Sequence, residues 1–214
     1  MAQVRIGAQR LAGDLQIPDA ASAVIVFAHG SGSSRHSPRN RYVAERLHRA
    51  GMATLLMDLL TVTEDEDLDR RFDIALLASR LKQTLDWLRG HRQVGGLPVG
   101  LFGASTGAAA ALDAAALAPD GVFAVVSRGG RPDLATEPLG SVRVPTLLIV
   151  GGEDDVVLGL NQSVLRQLPP SARLEVVPGA THLFEEPGTL EAVAALAAQW
   201  FLTHLPELAR SHAT

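Results

Sequence analysis

The sequence predicts an α/β domain whose sheet is mostly parallel and covered by helices on both faces, and three observations predict it. Apolar runs of strand length alternate with helical patterns of ten or more residues from residue 23 to residue 204. The two opening segments instead alternate apolar and polar residues, as an antiparallel edge hairpin does. The 214 residues, 47% hydrophobic and 20% charged, hold no repeat, low-complexity tract or Pro/Ser-rich linker. One domain spanning residues 1–214 around a large core is the simplest reading of such a chain.

Each element has its own warrant. Residues 4–6 and 11–16 form the hairpin, with Gly7 to Arg10 as its turn. The apolar run at 23–28 is the first parallel strand. Ser37-Pro38 opens a helix over 39–50, the serine capping it and the proline sitting where its missing N–H is harmless. Val43, Leu47 and Ala50 are its apolar face, and Gly51 suits its end. A strand follows at 53–57. The acidic run from Thr63 to Asp69 reads as a solvated loop leading into a helix over 72–89, whose N-terminus favours carboxylates. Within that helix Ile74, Leu77, Leu81, Leu85 and Leu88 recur at helical spacing and face the sheet. A strand at 99–103 then runs into an alanine-rich helix at 106–118. Strands at 122–127, 146–150 and 174–177, with helices at 160–168 and 190–204, bring the sheet to about eight strands. The segment between Ser127 and Thr146 is too short for an inserted cap domain.

Composition removes several function classes. A formal net charge of −4 offers no electrostatic footprint for nucleic acid or an anionic membrane. The absence of cysteine excludes disulfides, thiolate metal sites and a cysteine nucleophile. The opening MAQVRIGAQRLAG lacks the apolar core of a signal peptide, and no apolar stretch reaches membrane-spanning length, so a cytoplasmic protein is expected. The acidic run lacks the turning glycine of a calcium loop, and no metal is expected there.

The chemistry begins at Gly103-Ala104-Ser105-Thr106-Gly107, a G-x-S-x-G set between a strand and a helix, which is the setting of a nucleophile elbow. A serine nucleophile needs a base, and the base needs an orienting carboxylate. "TLLIVGGEDDVV" places Asp154 and Asp155 just past one strand, and "LEVVPGATHLFEEPG" places His182 past another. Ser, Asp and His thus follow in order, each beyond the C-terminal end of a strand, where open α/β sheets assemble their sites.

Together these motifs resemble the α/β-hydrolases, in particular the small dienelactone-hydrolase-like enzymes and the compact bacterial hydrolases sometimes fused to phosphoribosyltransferase domains. The resemblance covers nearly the whole chain, from "VIVFAHGSGSS" through "GASTG" and "GGEDDVV" to "GATHLFEEPG". Dienelactone hydrolases proper carry a cysteine nucleophile; this chain has Ser105 instead, so the resemblance implies serine-type hydrolysis of carboxylic esters without a cofactor. A family-like G-G-x-D-x-x-V spacing selects Asp154 as the acid. Asp155 meets the looser G-x-x-D spacing, and Asp133, beyond the strand ending at Ser127, is a third candidate. The implied oxyanion-hole donors are the backbone N–H groups of Thr106 and of Ser31, the residue after His29-Gly30, with His29 fixing the loop.

Arg35, His36 and Arg128 are candidates to bind a substrate carboxylate or phosphate, with Arg39 and Arg131 nearby, unless ion pairs or solvent claim them. Asp58 reads as a loop brace. Thioester hydrolysis or acyl transfer would use the same triad, and a ligand-binding homologue without turnover would also keep the elbow. The expected partner is a small-molecule ester, with no nucleic acid and no membrane, and the chain is a monomer or a homodimer.

Overall fold

Successive residues of a strand point to opposite faces of its sheet, and here both faces are apolar. Val24, Val26, Leu55, Leu101, Val125 and Leu148 face one way; Ile25, Phe27, Leu56, Phe102, Val126 and Ile149 face the other, and all are buried. A sheet built this way must be covered on both sides.

A computed structural model describes residues 1–207 of the chain. Its strands are β1 (Ala2–Ile6), β2 (Leu11–Gln16), β3 (Val24–Ala28), β4 (Ala53–Met57), β5 (Val99–Ala104), β6 (Ala124–Arg128), β7 (Thr146–Gly151) and β8 (Arg173–Val177). They form one eight-stranded sheet in the order β1-β2-β4-β3-β5-β6-β7-β8. β2 pairs antiparallel with both β1 and β4, and β4, β3 and β5 to β8 run parallel. The helices are α1 (Pro38–Arg49), α2 (Val62–Asp65), α3 (Leu68–Phe72), α4 (Ile74–Arg89), α5 (Thr106–Leu117), α6 (Asp155–Leu165) and α7 (Thr189–His204). Buried residues of α4, α5 and α6 cover one face, and those of α1 and α7 cover the other.

Local chemistry sets the boundaries. Ser37 Oγ accepts from the Asn40 amide at 3.3 Å with Pro38 just inside α1, and Gly51 follows the helix at φ +81°. Asp73 caps α4 by accepting from the Leu76 amide at 2.9 Å, so this helix starts there rather than running on from residue 72. The acidic run is not the solvated loop its composition suggests. It holds α2 and α3, and α2 opens on a reciprocal capping box between Thr61 and Glu64. α6 likewise starts at Asp155, five residues before the expected 160, because Asp154 provides the non-helical turn ahead of it. Between β6 and β7 lie two short 3-10 turns, Pro132–Leu134 and Leu139–Ser141, and no cap. The buried Asp113 carboxylate of α5 fastens this connection, accepting from the Thr136 amide, the Thr136 hydroxyl and the Glu137 amide. Among the described residues no helix is long and apolar enough to cross a membrane.

The strand order reverses at β3. The chain leaves β3 for β4 on one side, then returns to lay β5 on the other. The loops following β3 and β5 therefore separate at the C-terminal edge of the sheet and leave a crevice, the place where ligands bind in such folds.

Candidate active site

Two loops meet at that crevice. After β5 the chain turns sharply at Ser105, with φ 51° and ψ −123°, a conformation a non-glycine residue holds only when its surroundings enforce it. The enforcement is visible. A Cβ on Gly107 would lie 2.3 Å from the Ala28 carbonyl oxygen, and one on Gly103 would lie 2.5 Å from Ala108 Cα. Only glycines allow β5, β3 and α5 to come this close, and the turn between them lifts Ser105 into the crevice. Hydrogen bonds hold it there: the Ser105 amide donates to the Arg128 carbonyl at 3.3 Å, and the Arg131 amide donates to the Ser105 carbonyl at 3.1 Å.

His182 enters from the loop after β8. Its Nδ1 lies 2.6 Å from Asp154 Oδ2, which leaves Nε2 as the ring nitrogen free for the cavity. Of the three carboxylates weighed from sequence, Asp154 is the one this histidine meets. Asp155 is exposed in the first turn of α6, and Asp133 is bound by Arg131 through two contacts of 2.8 and 2.7 Å. Ser105 and His182 line one cavity of about 170 Å³ together with Gly30, Ser31, Ser33, Arg39, Asn40, Arg128 and Leu183. A larger cavity of about 700 Å³ opens near Leu85, Pro98 and Phe123, at the N-terminal ends of the strands, and holds none of these groups. Among the described residues no cluster of His, Asp and Glu is arranged around a metal position.

The loop after β3 is pinned by His29. Its Nε2 accepts from the Leu59 amide at 3.1 Å, and its Nδ1 lies 2.9 Å from the Gly30 carbonyl and donates to it. Burial pushes its pKa below the ordinary histidine value and keeps it neutral. The Ser31 N–H, expected in an oxyanion hole, donates at 2.8 Å to the Thr106 hydroxyl in this structure. The Thr106 amide, at the first position of α5, has no partner within its own helix.

The arginines separate cleanly. Arg35 is turned away from the cavity: its amide donates to Asp58 Oδ1 at 2.8 Å, its guanidinium pairs with the other Asp58 oxygen, and Asp14 lies 3.7 Å away. Asp58 is thus the loop brace. His36 is exposed and meets Arg41 at 2.7 Å, also outside the cavity. Both candidates fail for the same reason, since each finds a nearer polar partner. Arg128, the last residue of β6, does line the cavity. Sequence reasoning missed Asn40 and Phe184. Asn40 directly follows Arg39 in the first turn of α1, close to the loop after β3, and that position could have suggested the first. Phe184 stands two residues after His182 at φ 55°, buried, and nothing in its neighbours' composition signals that.

A serine on a strained strand–helix turn, a histidine–carboxylate pair and a mostly parallel sheet define an α/β hydrolase. The chain belongs to the α/β-hydrolase domain family, whose model matches residues 21–199. It is 57% identical to the dienelactone hydrolase of Anabaena variabilis, covering 96% of this chain and 97% of that one with a TM-score of 0.91. It is also 61% identical over 203 residues to a Mycobacterium tuberculosis protein named "Putative phosphoribosyl transferase", matching 95% of this chain and 46% of that one. This chain thus spans about half the length of the mycobacterial relatives. Est1E of Butyrivibrio proteoclasticus shares the fold, with a TM-score of 0.78 at 16% identity over 95% of this chain and 98% of its own.

Proposed function

We propose that this hydrolase cleaves carboxylic esters of small substrates through an acyl-enzyme on Ser105. The observation that supports it is the His182–Asp154 hydrogen bond of 2.6 Å at the cavity that also holds the strained Ser105 turn. His182 Nε2 takes the Ser105 proton as Oγ attacks the ester carbonyl, and Asp154 steadies the imidazolium. The oxyanion is received by the Thr106 amide and by the Ser31 amide, once the Thr106 hydroxyl rotates off the latter. His182 then returns its proton to the leaving alcohol and activates the water that frees the acid. No cofactor takes part in this sequence. The name of the Anabaena relative, dienelactone hydrolase, supports an ester bond as target, a lactone being a cyclic ester. The name of the mycobacterial relatives belongs to chains of which this one spans under half, and it carries no argument for this cavity.

The test is mass spectrometry after exposure to a fluorophosphonate. One adduct is expected, on the Ser105 peptide and absent from Ser105→Ala. Folded protein that stays unmodified would overturn the proposal. For labelled protein, parallel assays with an ester, its thioester and an added acyl acceptor decide among ester hydrolysis, thioester hydrolysis and acyl transfer.

A further inference from the structure

The segment that carries His182 is a short loop in a conformation it would not hold alone. Thr181, Leu183 and Glu185 are exposed, and Phe184 sits at φ 55°, where a bulky residue is strained. Such a backbone persists only when its surroundings fix it. Burial of the Phe184 ring fixes the far side of the loop, and the Phe184 amide donates to the Thr181 carbonyl at 3.2 Å. Ahead of the histidine, the Ala180 carbonyl accepts from the Glu153 amide at 2.9 Å.

Thr181 itself is held by a glutamate that the proposed reaction leaves unused. Glu186 turns its carboxylate back across the loop. Its Oε1 accepts from the Thr181 hydroxyl at 2.6 Å and its Oε2 from the Thr181 amide at 3.1 Å. Its own carbonyl accepts from the amide and the hydroxyl of Thr189, the first residue of α7, at 3.1 and 2.7 Å. α7 in turn is anchored in the core through Val193, Ala194, Ala197 and Phe201. Glu186 therefore joins a fixed helix to the residue that precedes His182. The Thr181 hydroxyl first, then nearby main-chain N–H groups, hold the Glu186 carboxyl below its ordinary value, so both oxygens are free to accept at neutral pH. The neighbouring acids differ. Glu185 is 64% exposed and reaches out to Arg39, and Glu191 stands exposed in the first turn of α7.

A general base works only within hydrogen-bond reach of the proton it takes. We propose that Glu186 is a positioning residue, whose clasp on Thr181 fixes the loop that presents His182 to Ser105. As a statement about the reaction this rests on the ester-hydrolase reading above. Two carboxylates then serve one histidine in different ways: Asp154 orients the ring through Nδ1, and Glu186 orients the backbone that carries it.

Two measurements test this, one of them independent of any reaction. The first follows hydrogen exchange at the Thr181 amide in wild type, Glu186→Ala, Glu186→Gln and Glu191→Ala. Exchange should quicken about tenfold or more in Glu186→Ala, roughly one charge-assisted hydrogen bond. It should stay within about twofold of wild type in Glu191→Ala, a surface change, and close to wild type in Glu186→Gln, whose amide can accept from the Thr181 N–H and donate to its hydroxyl. The second follows the rate at which a fluorophosphonate labels Ser105 in the same four chains. Glu186→Ala should label about 10- to 100-fold more slowly, since displacing a reacting group by about 1 Å costs up to about 10²-fold, and Glu186→Gln should restore most of the rate. With a turned-over ester the loss should fall on kcat and leave KM nearly unchanged. A carboxylate that only stabilised the fold would lower the melting temperature and leave labelling of the folded chain as it was. Should Glu186→Ala not fold, Thr181→Val removes the 2.6 Å contact alone and is expected to slow labelling severalfold.

Folded Glu186→Ala that labels as fast as a labelled wild type would overturn the clasp and keep the hydrolase reading. Glu186→Gln as slow as Glu186→Ala would overturn it too, because the charge and not the paired contacts would then matter. If wild-type Ser105 stays unlabelled while Thr181 exchange still quickens in Glu186→Ala, the clasp on the loop stands and the hydrolase reading falls.

Discussion

At the level of single residues, the site depends on which neighbour each polar group finds first. Asp154 is half-hidden and faces His182, whereas Asp155, one residue on, is exposed and lies in the first turn of α6, where a carboxylate favours the helix dipole. The two should part company on substitution. Asp154→Asn keeps a polar atom near His182 Nδ1 but can select the wrong tautomer, and kcat is expected to fall by about 10³–10⁴ with little change in KM, as when a triad carboxylate is removed in this way. Asp155→Asn is expected to leave kcat within about twofold, as surface substitutions do. Steady-state kinetics on the two variants, once a turned-over ester is found, checks both. An equal loss in each would remove Asp154 from its role. The same rule of nearest partner decided the arginines. Residue type and strand position brought out Arg35, His36 and Arg128 alike, but Asp58 and Asp14 are distant in sequence from the cavity's other walls, and only the folded chain shows that they claim Arg35 and leave Arg128 alone.

At the level of elements, the loop after β3 rests on one neutral histidine. The Leu59 amide donates to His29 Nε2, so protonation of that nitrogen would replace a hydrogen bond with two opposed N–H groups. The folded chain holds the His29 pKa below its ordinary value, while the unfolded chain takes a proton near pH 6.5. Stability is therefore complete above about pH 6.5 and falls as pH drops below it, by at most about 1.4 kcal/mol per pH unit, until the folded value is reached. Urea midpoints of wild type and His29→Gln between pH 5 and 8 check this: the gap between the chains should narrow as pH falls, and parallel curves would show that His29 does not titrate with unfolding. The elements themselves were unevenly legible. Ser37-Pro38, the elbow glycines and the leucines of α4 announce themselves because each carries a local rule. α2 and α3 escape periodicity because four and five residues do not complete a pattern; their local marks are caps, the Thr61–Glu64 box at α2 and Asp67 at α3. The start of α6 was hidden by Val156, Val157 and Gly159, poor helix formers that tertiary packing of Val157 overrides.

At the level of the whole molecule, the sheet is shared by two cores that cannot part from each other. Each strand that gives Val26 or Leu101 to one face gives Phe27 or Phe102 to the other, so neither layer of helices can leave without exposing the sheet that the remaining layer needs. The chain has two tryptophans, and they stand on opposite sides: Trp87 packs against the core under α4 and α5, and Trp200 against that under α1 and α7. Trp87→Phe and Trp200→Phe each leave a single reporter. Their fluorescence midpoints in urea should coincide once each is set against its own circular-dichroism curve, although chains beyond about 150 residues often unfold in stages. Separate midpoints would mean that one helical layer peels away first.

The reversal of strand order at β3 has a consequence for anyone who works with the protein in quantity. The walls of the Ser105 cavity come from the ends of β3, β5 and β6, from α1, and from the loop after β8, so no fragment, hairpin or early collapsed form of the chain contains it. On the function proposed for Ser105, its reactivity requires all of these sequence-distant contacts to be closed. A covalent titrant of that serine would count finished molecules in a preparation and pass over the rest.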